Sequence, residues 1–291
     1  HPKVAVILNV EADHLDYYKD EAEIVGAFCD FANGVTTGGT VVVNGEDANA
    51  AKVIASLPVG QECVTFGLDK KCTFRAETIE QANGCYAFDV WQGQKRLGRT
   101  HISVPGMHNV YNGLAVIAAA VSAGADAKKI LEALPGFTGV DRRIMFKGRA
   151  GGVTVLDDYA HHPTEIRASL KAIRERFSPK RLWCIFQPHQ YSRTRFLLAD
   201  FAESFKLADI TIVPDIYFVR DTEQNKKEVN AQVLVDKINS NGSRALFIAT
   251  MPGICEHLKQ HATSGDVVVT MGAGDIWKVA DEYIQWLGKH S

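Results

Sequence analysis

The chain has 291 residues, with 34 acidic and 32 basic side chains and a formal net charge of -2. That balance argues against a nucleic-acid or anionic-membrane partner, either of which calls for a basic surplus. With 46% hydrophobic and 23% charged residues, the composition suits a globular chain of one large or two ordinary domains.

No apolar run reaches the length of a membrane span, and no charged leader precedes a hydrophobic stretch. The expected location is the cytoplasm, and the expected state a monomer or weak homodimer. Cys29, Cys63, Cys72, Cys85, Cys184 and Cys255 form no C-x-x-C pair and read as reduced, mostly buried thiols.

The sequence opens on His1-Pro2-Lys3, without methionine, and enters an apolar β-branched run at 4–10 at once. This start predicts a piece of a longer protein. Further strands are expected at 40–43, 63–66, 86–90 and 99–104, and an alanine-rich buried helix at 112–123, stopped by Gly124. Turn formers collect in Leu134-Pro135-Gly136-Phe137-Thr138-Gly139, which places a domain boundary near residue 140.

Beyond it strands and helices alternate. Strands are expected at 153–156, 182–186, 210–213, 245–248 and 267–270. A helix starts near Pro163, with Ile166, Leu170, Ile173 and Phe177 as its apolar stripe. Others are expected at 196–207, 231–238, 253–261 and 276–287. The fold class is therefore α/β: a first domain over 1–140 with a mixed or parallel sheet, then a Rossmann-like, mostly parallel sheet over 141–291, helices covering both faces.

In such sheets ligands sit beyond the carboxyl ends of the strands. The segments falling there are Asp157-Asp158-Tyr159-Ala160-His161-His162-Pro163, Gln187-Pro188-His189-Gln190-Tyr191-Ser192-Arg193-Thr194-Arg195, Pro214-Asp215-Ile216-Tyr217 and Gly272-Ala273-Gly274-Asp275. Carboxylates, imidazoles and guanidiniums on one rim suit an anionic substrate and a charged transition state. Polar residues are also simply tolerated at strand ends, but four such segments together favour a site.

In the first half, Asn9-Val10-Glu11-Ala12-Asp13-His14-Leu15-Asp16 offers oxygen ligands for Mg²⁺. Gly106-Met107-His108-Asn109-Val110-Tyr111-Asn112 leads into the alanine-rich helix, with one asparagine expected as its N-cap. Asp141-Arg142-Arg143 sits at the boundary, where a guanidinium could reach a phosphate across a cleft. No G-x-x-x-x-G-K-[ST] phosphate loop occurs.

Taken together, these strings resemble the Mur ligase family in order and over essentially the whole chain. The resemblance implies that residues 1–140 are the later part of a central ATPase domain and 141–291 the C-terminal domain. The UDP-sugar domain and the phosphate loop are then expected upstream, and this stretch alone is expected to be inactive.

It implies ATP-dependent amide ligation through an acyl phosphate in peptidoglycan precursor synthesis, with UDP-N-acetylmuramate and L-alanine as substrates and ATP and Mg²⁺ as cofactors. By motif match, His14 would bind Mg²⁺, and Asn109 or Asn112 would contact the nucleotide. Arg143 would reach the ATP phosphates, and Asp158 would orient the ribose or the closing interface. His162, His189 and Arg193 would contact the amino acid and acyl phosphate, with His189 available to deprotonate the amine. Gln190 stands where some relatives carry arginine, so a carboxylate clamp falls to Arg193 or Arg195.

Three other readings stand beside this one. A murein tripeptide ligase of cell-wall recycling shares the chemistry, although the Pro188-His189-x-Tyr191-Ser192-Arg193-Thr194 string favours L-alanine. A non-catalytic nucleotide or amino-acid binding module fits the missing phosphate loop. A metal hydrolase on Asp157, Asp158, His161 and His162 lacks helical metal-ligand spacing.

Overall fold

In a computed structural model, residues 1–14, 17–219 and 221–290 are described; Leu15 and Asp16 of the acidic run lie outside them. The chain forms two compact units, His1–Thr138 and Gly139–Ser291. Each is α/β, as the alternating pattern requires.

The first unit contains β1 (Val4–Ile7), α1 (Glu21–Asn33), β2 (Thr40–Asn44), α2 (Ala48–Ala55), β3 (Glu62–Gly67), β4 (Phe74–Ala82), β5 (Cys85–Gln92), β6 (Lys95–Ile102), α3 (Met107–Ser122) and α4 (Ala127–Ala133). Strands β1 to β6 lie side by side in chain order. The first four are parallel, and β4, β5 and β6 form an antiparallel meander.

The continuous valine run of β2 is buried on both faces. Val41 and Val43 meet Ile24 and Val25 of α1 and Val53 of α2, while Val42 lies with Leu114 and Ile117 of α3 on the other side. Asp20, Asp47 and Asp126 cap α1, α2 and α4 by accepting backbone N–H groups.

Helices α1, α2 and α4 had no counterpart in the sequence expectation, and two further features differ from it. Strand β4 was not foreseen, because a bulge between Glu77 and Glu80 breaks its alternation. Helix α3 starts at Met107 rather than near 112, and its N-cap is Gly106, φ 104°, so neither asparagine caps it. Only glycine adopts that φ readily, and this overrides the weak helix propensity of His108 and Asn109.

The second unit contains β7 (Met145–Ala150), β8 (Val153–Asp158), α5 (Pro163–Phe177), β9 (Leu182–Phe186), α6 (Tyr191–Phe196), α7 (Leu198–Glu203), β10 (Ile210–Val213), α8 (Glu223–Glu228), α9 (Ala231–Ser240), β11 (Ala245–Phe247), α10 (Met251–His261), β12 (Val267–Met271) and α11 (Trp277–His290). The sheet order is β11-β10-β9-β12-β8-β7. All pairs are parallel except β7 with β8.

One face packs Ile166, Leu170 and Ile173 of α5, Phe201 of α7 and Leu234 of α9. The other packs Ile254 and Leu258 of α10 with Val279 and Tyr283 of α11. The crossovers after β8, β9 and β10 run one way along the sheet, and the crossover into β12 returns the other way. The order therefore reverses where β12 lies between β8 and β9, and a doubly wound sheet opens its crevice at such a point.

The helix expected at 196–207 is two short ones. It starts early because Gln190 O accepts from both the Thr194 N–H and the Thr194 hydroxyl, and it breaks at Leu197, φ -103°. The antiparallel edge strand β7 was also unforeseen.

Candidate functional site

At the carboxyl end of β8, Asp157 and Asp158 are each 1% exposed. Asp157 accepts from Arg142 Nε at 3.0 Å and from the Thr270 hydroxyl at 2.7 Å. Burial pushes its carboxyl up, and those donors oppose the shift.

Asp158 is surrounded by donors: Ile144 N–H at 2.7 Å, Ala160 N–H at 2.7 Å and the Ser169 hydroxyl at 3.2 Å. Burial still outweighs them, and its carboxyl is pushed up to about 6. Asp158 thus pins residues 142–144 to the end of the sheet.

Arg142 also donates to Gly272 O at 2.6 Å. Its guanidinium lies 4.9 Å from the Tyr159 ring centre, and that of Arg143 lies 5.6 Å from the same ring. Arg142 and Ile144 hold φ of 60° and 48°, an unfavourable region for a β-branched residue that the surrounding bonds must enforce.

Arg143 reaches Glu165 at 3.3 Å. The same glutamate accepts the backbone N–H groups of His161 and His162 at 3.0 and 3.3 Å, and His162 caps α5 with Nδ1 accepting from Thr164 N–H. Burial raises the Glu165 carboxyl, but the His161 N–H, His161 and Arg143 together bring it below the usual range. Arg143 and His162 are therefore gathered around one carboxylate.

At the end of β9, the His189 ring stacks on Tyr217, centroids 5.5 Å apart and planes 14° apart. Its Nδ1 lies 3.4 Å from Arg193 Nη1. A guanidinium only donates, so Nδ1 is the acceptor and the neutral ring carries its proton on Nε2. While that contact holds, Nδ1 cannot serve as the base expected from the sequence.

Between these residues Gln190 holds φ 70°, ψ 134°, fixed by its N–H donating to Tyr217 O and by the Thr194 bonds to its carbonyl. Arg193 is buried. Arg195 is committed elsewhere, paired with Glu228 and lying over the Phe196 ring. Arg193 is accordingly the arginine that accompanies His189.

The loop after β12 joins the two groups. Gln187 donates to Asp275 at 3.3 Å, and Gly272 N–H donates to Asp158 O at 3.2 Å. A Cβ on Gly272, φ 145°, would stand 2.7 Å from Gln187 O, and one on Gly274 would collide with Gln187 Oε1. Both glycines are required by this close approach. Asp221, which sequence reasoning missed, accepts from Ser192 N–H at 2.9 Å and fixes the start of α6. A loop aspartate carries no sequence signal for that role.

In the first unit His14 is 65% exposed in its side chain, φ 53°, with Nε2 3.8 Å from Asp13. Asn109 donates to Pro105 O at 2.8 Å, and Asn112 donates to Asn109 Oδ1 at 3.1 Å. No hydrogen bond joins His14 to either asparagine among the described residues. Also missed was Glu46, after β2, which accepts from the Leu68 and Asp69 N–H groups. Burial, then the hydrogen bond to Glu46, pushes the Tyr111 hydroxyl far up.

This arrangement of two α/β units, with basic and acidic groups at strand ends, is that of the Mur ligases. Residues 1–120 match the Mur ligase middle domain and residues 142–274 the Mur ligase, glutamate ligase domain. The chain belongs to the Mur ligase family, as its motifs implied.

Over 98% of its length it is 42% identical to the UDP-N-acetylmuramate–L-alanine ligase of Acetivibrio thermocellus and 43% identical to that of Caldanaerobacter subterraneus, covering 60% and 61% of those proteins. The crystal structure of UDP-N-acetylmuramate-alanine ligase MurC from Thermotoga maritima aligns over the whole chain at TM-score 0.77 and 29% identity, with 60% of that chain covered. The chain thus spans about 60% of the length of the curated relatives it matches. No helix among the described residues is long and apolar enough to cross a membrane.

Proposed function

We propose that this chain is the ATPase-side and amino-acid-side portion of a cytoplasmic ligase that joins L-alanine to UDP-N-acetylmuramate at the expense of ATP. The observation that carries the reading is the paired set at the end of β9 and β8: His189 with Arg193, and Arg143 with His162 around Glu165. The identity to L-alanine ligases along the chain supports the choice of substrate.

In the proposed reaction the muramate carboxylate becomes an acyl phosphate, the amine of L-alanine attacks its carbonyl, and phosphate leaves. Transfers of this kind depend on positioning and charge neutralisation. Arg193 would hold the L-alanine carboxylate, and His189 would orient it as a donor through Nε2. Arg143 would face the phosphates, with Arg142, Asp157 and Asp158 fixing its backbone. Asn109 and Asn112 would meet the nucleotide.

By motif match His14, whose Nε2 lies 3.8 Å from Asp13, would be the residue of this segment that binds Mg²⁺; no group of three or more histidine, cysteine or acidic side chains is assembled for a metal among the described residues. When bound, that ion supplies neutralisation of phosphate charge.

The test is an incubation of the full-length gene product with UDP-N-acetylmuramate, ATP, Mg²⁺ and either L-alanine or murein tripeptide, followed by mass spectrometry of the UDP-linked product. The expected outcome is the L-alanine adduct with one phosphate released per amide. Preferential use of the tripeptide would move the assignment to the recycling ligase, and phosphate release without any amide would overturn it.

A further inference from the structure

The first turn of α6 has no cap of its own. Gln190, the residue before it, lends no side chain to the helix start, and Tyr191, Ser192, Arg193 and Thr194 are all buried. The first N–H groups of a helix have no partner within it, and buried ones need an acceptor from elsewhere. Here the acceptors come from the segment that follows β10.

The Gln190 N–H donates to Tyr217 O at 3.1 Å. Asp221 Oδ2 accepts from the Ser192 N–H at 2.9 Å and from the Ser192 hydroxyl at 3.3 Å. Asp221 Oδ1 accepts from the Thr222 N–H and the Asn225 amide, each at 2.8 Å. These donors fill about the capacity of a carboxylate, so Asp221 acts through the backbone it holds. Burial raises its carboxyl, but the donors, led by the Ser192 N–H, bring it below the usual range, and it is ionised at neutral pH. Two looser ties run the same way: the Phe218 ring lies 6.0 Å from that of Tyr191, and Glu228 pairs with Arg195. Of these three side chains, Asp221 is the one bonded to the backbone of α6.

We propose that Asp221 is a positioning residue for the amino-acid step. It caps α6 from outside the helix and so holds Arg193, the residue after Ser192, with its Nη1 3.4 Å from His189 Nδ1. The inference rests on the reading above, in which Arg193 meets the L-alanine carboxylate. A guanidinium fork serves a carboxylate well only while the backbone beneath it is held. A helix of six residues has little stability of its own. Without the cap its first turn frays and Arg193 loses its place, while Arg143 keeps its separate tie to Glu165.

The test uses the full-length gene product. Asp221→Ala should raise the KM for L-alanine about fivefold or more, the equivalent of one lost helix cap, and leave the KM for ATP within about twofold. Asp221→Asn keeps the size and one acceptor, and its effect should be smaller. The decisive readout is a double-mutant cycle with Arg193→Lys. Because Asp221 acts through Arg193, removing it from the Arg193→Lys enzyme should change the L-alanine KM by less than about twofold. If Asp221→Ala does not fold, the cycle with Asp221→Asn decides. Effects that multiply in the cycle, or an unchanged L-alanine KM in Asp221→Ala, would overturn this inference alone. An Arg193→Lys enzyme with an unchanged L-alanine KM would overturn the placing of the amino acid, and this inference with it.

Discussion

The carboxyl ends of the two sheets carry similar residue types but hold them in opposite ways. In the second unit, Asp157 and Asp158 are almost wholly buried, and together they accept five hydrogen bonds from Arg142, Thr270, Ile144, Ala160 and Ser169. In the first unit His14 stands mostly in solvent beside its own neighbour Asp13, and Asn112 is exposed with Asn109 as its partner. The second rim is set in place before any ligand arrives, which is how a site gains from fixed dipoles and charges.

The largest test of that contrast removes one polar side chain from each side. Asp158→Ala leaves three donors without their acceptor and is expected to cost about 3–5 kcal/mol in urea unfolding of the second unit. His14→Ala should change stability by less than about 0.5 kcal/mol. Equal losses would erase the distinction.

The next test uses pH. Asp158 is raised to about 6 from 3.8, so between those values the folded state holds a proton that the unfolded state has released. Its contribution to stability is full below about pH 4 and is lost as pH rises through 6. Relative to Asp158→Asn, the wild type should lose about 2 kcal/mol from pH 4 to pH 7, and a flat difference would show that the carboxylate is solvated.

Smaller effects come from glycines. Gly274→Ala forces a methyl against Gln187 and Tyr217 and should destabilise by about 1–3 kcal/mol. Gly26, inside α1 with nothing within 4 Å of an added Cβ, should tolerate alanine with a gain of about 1 kcal/mol. Thermal melts of the two variants give the sign directly.

Much of this was legible in the residues because buried parallel strands read as apolar runs and because ligands gather at strand ends. The order of β8 to β12 and the segments around Asp157, Gln187 and Gly272 came from those two rules. What sequence concealed was which polar residue faces outward. Adjacent arginines at 142 and 143 look alike, yet the first is tied to Asp157 and Gly272 and the second to Glu165.

The three internal donors to Asp158 were likewise not legible, since hydrogen-bond direction is set by tertiary packing. Strand β4 and the early start of α3 were hidden by a bulge and by a glycine cap. Both are local backbone devices that periodicity does not register.

The most direct measurement concerns Arg193. In the full-length gene product, Arg193→Lys replaces a planar fork with a point charge. The KM for L-alanine is expected to rise about tenfold or more, the equivalent of one lost charge-assisted hydrogen bond, while the KM for ATP stays within about twofold. An unchanged KM for L-alanine, or a rise confined to ATP, would contradict the placing of the amino acid at the end of β9.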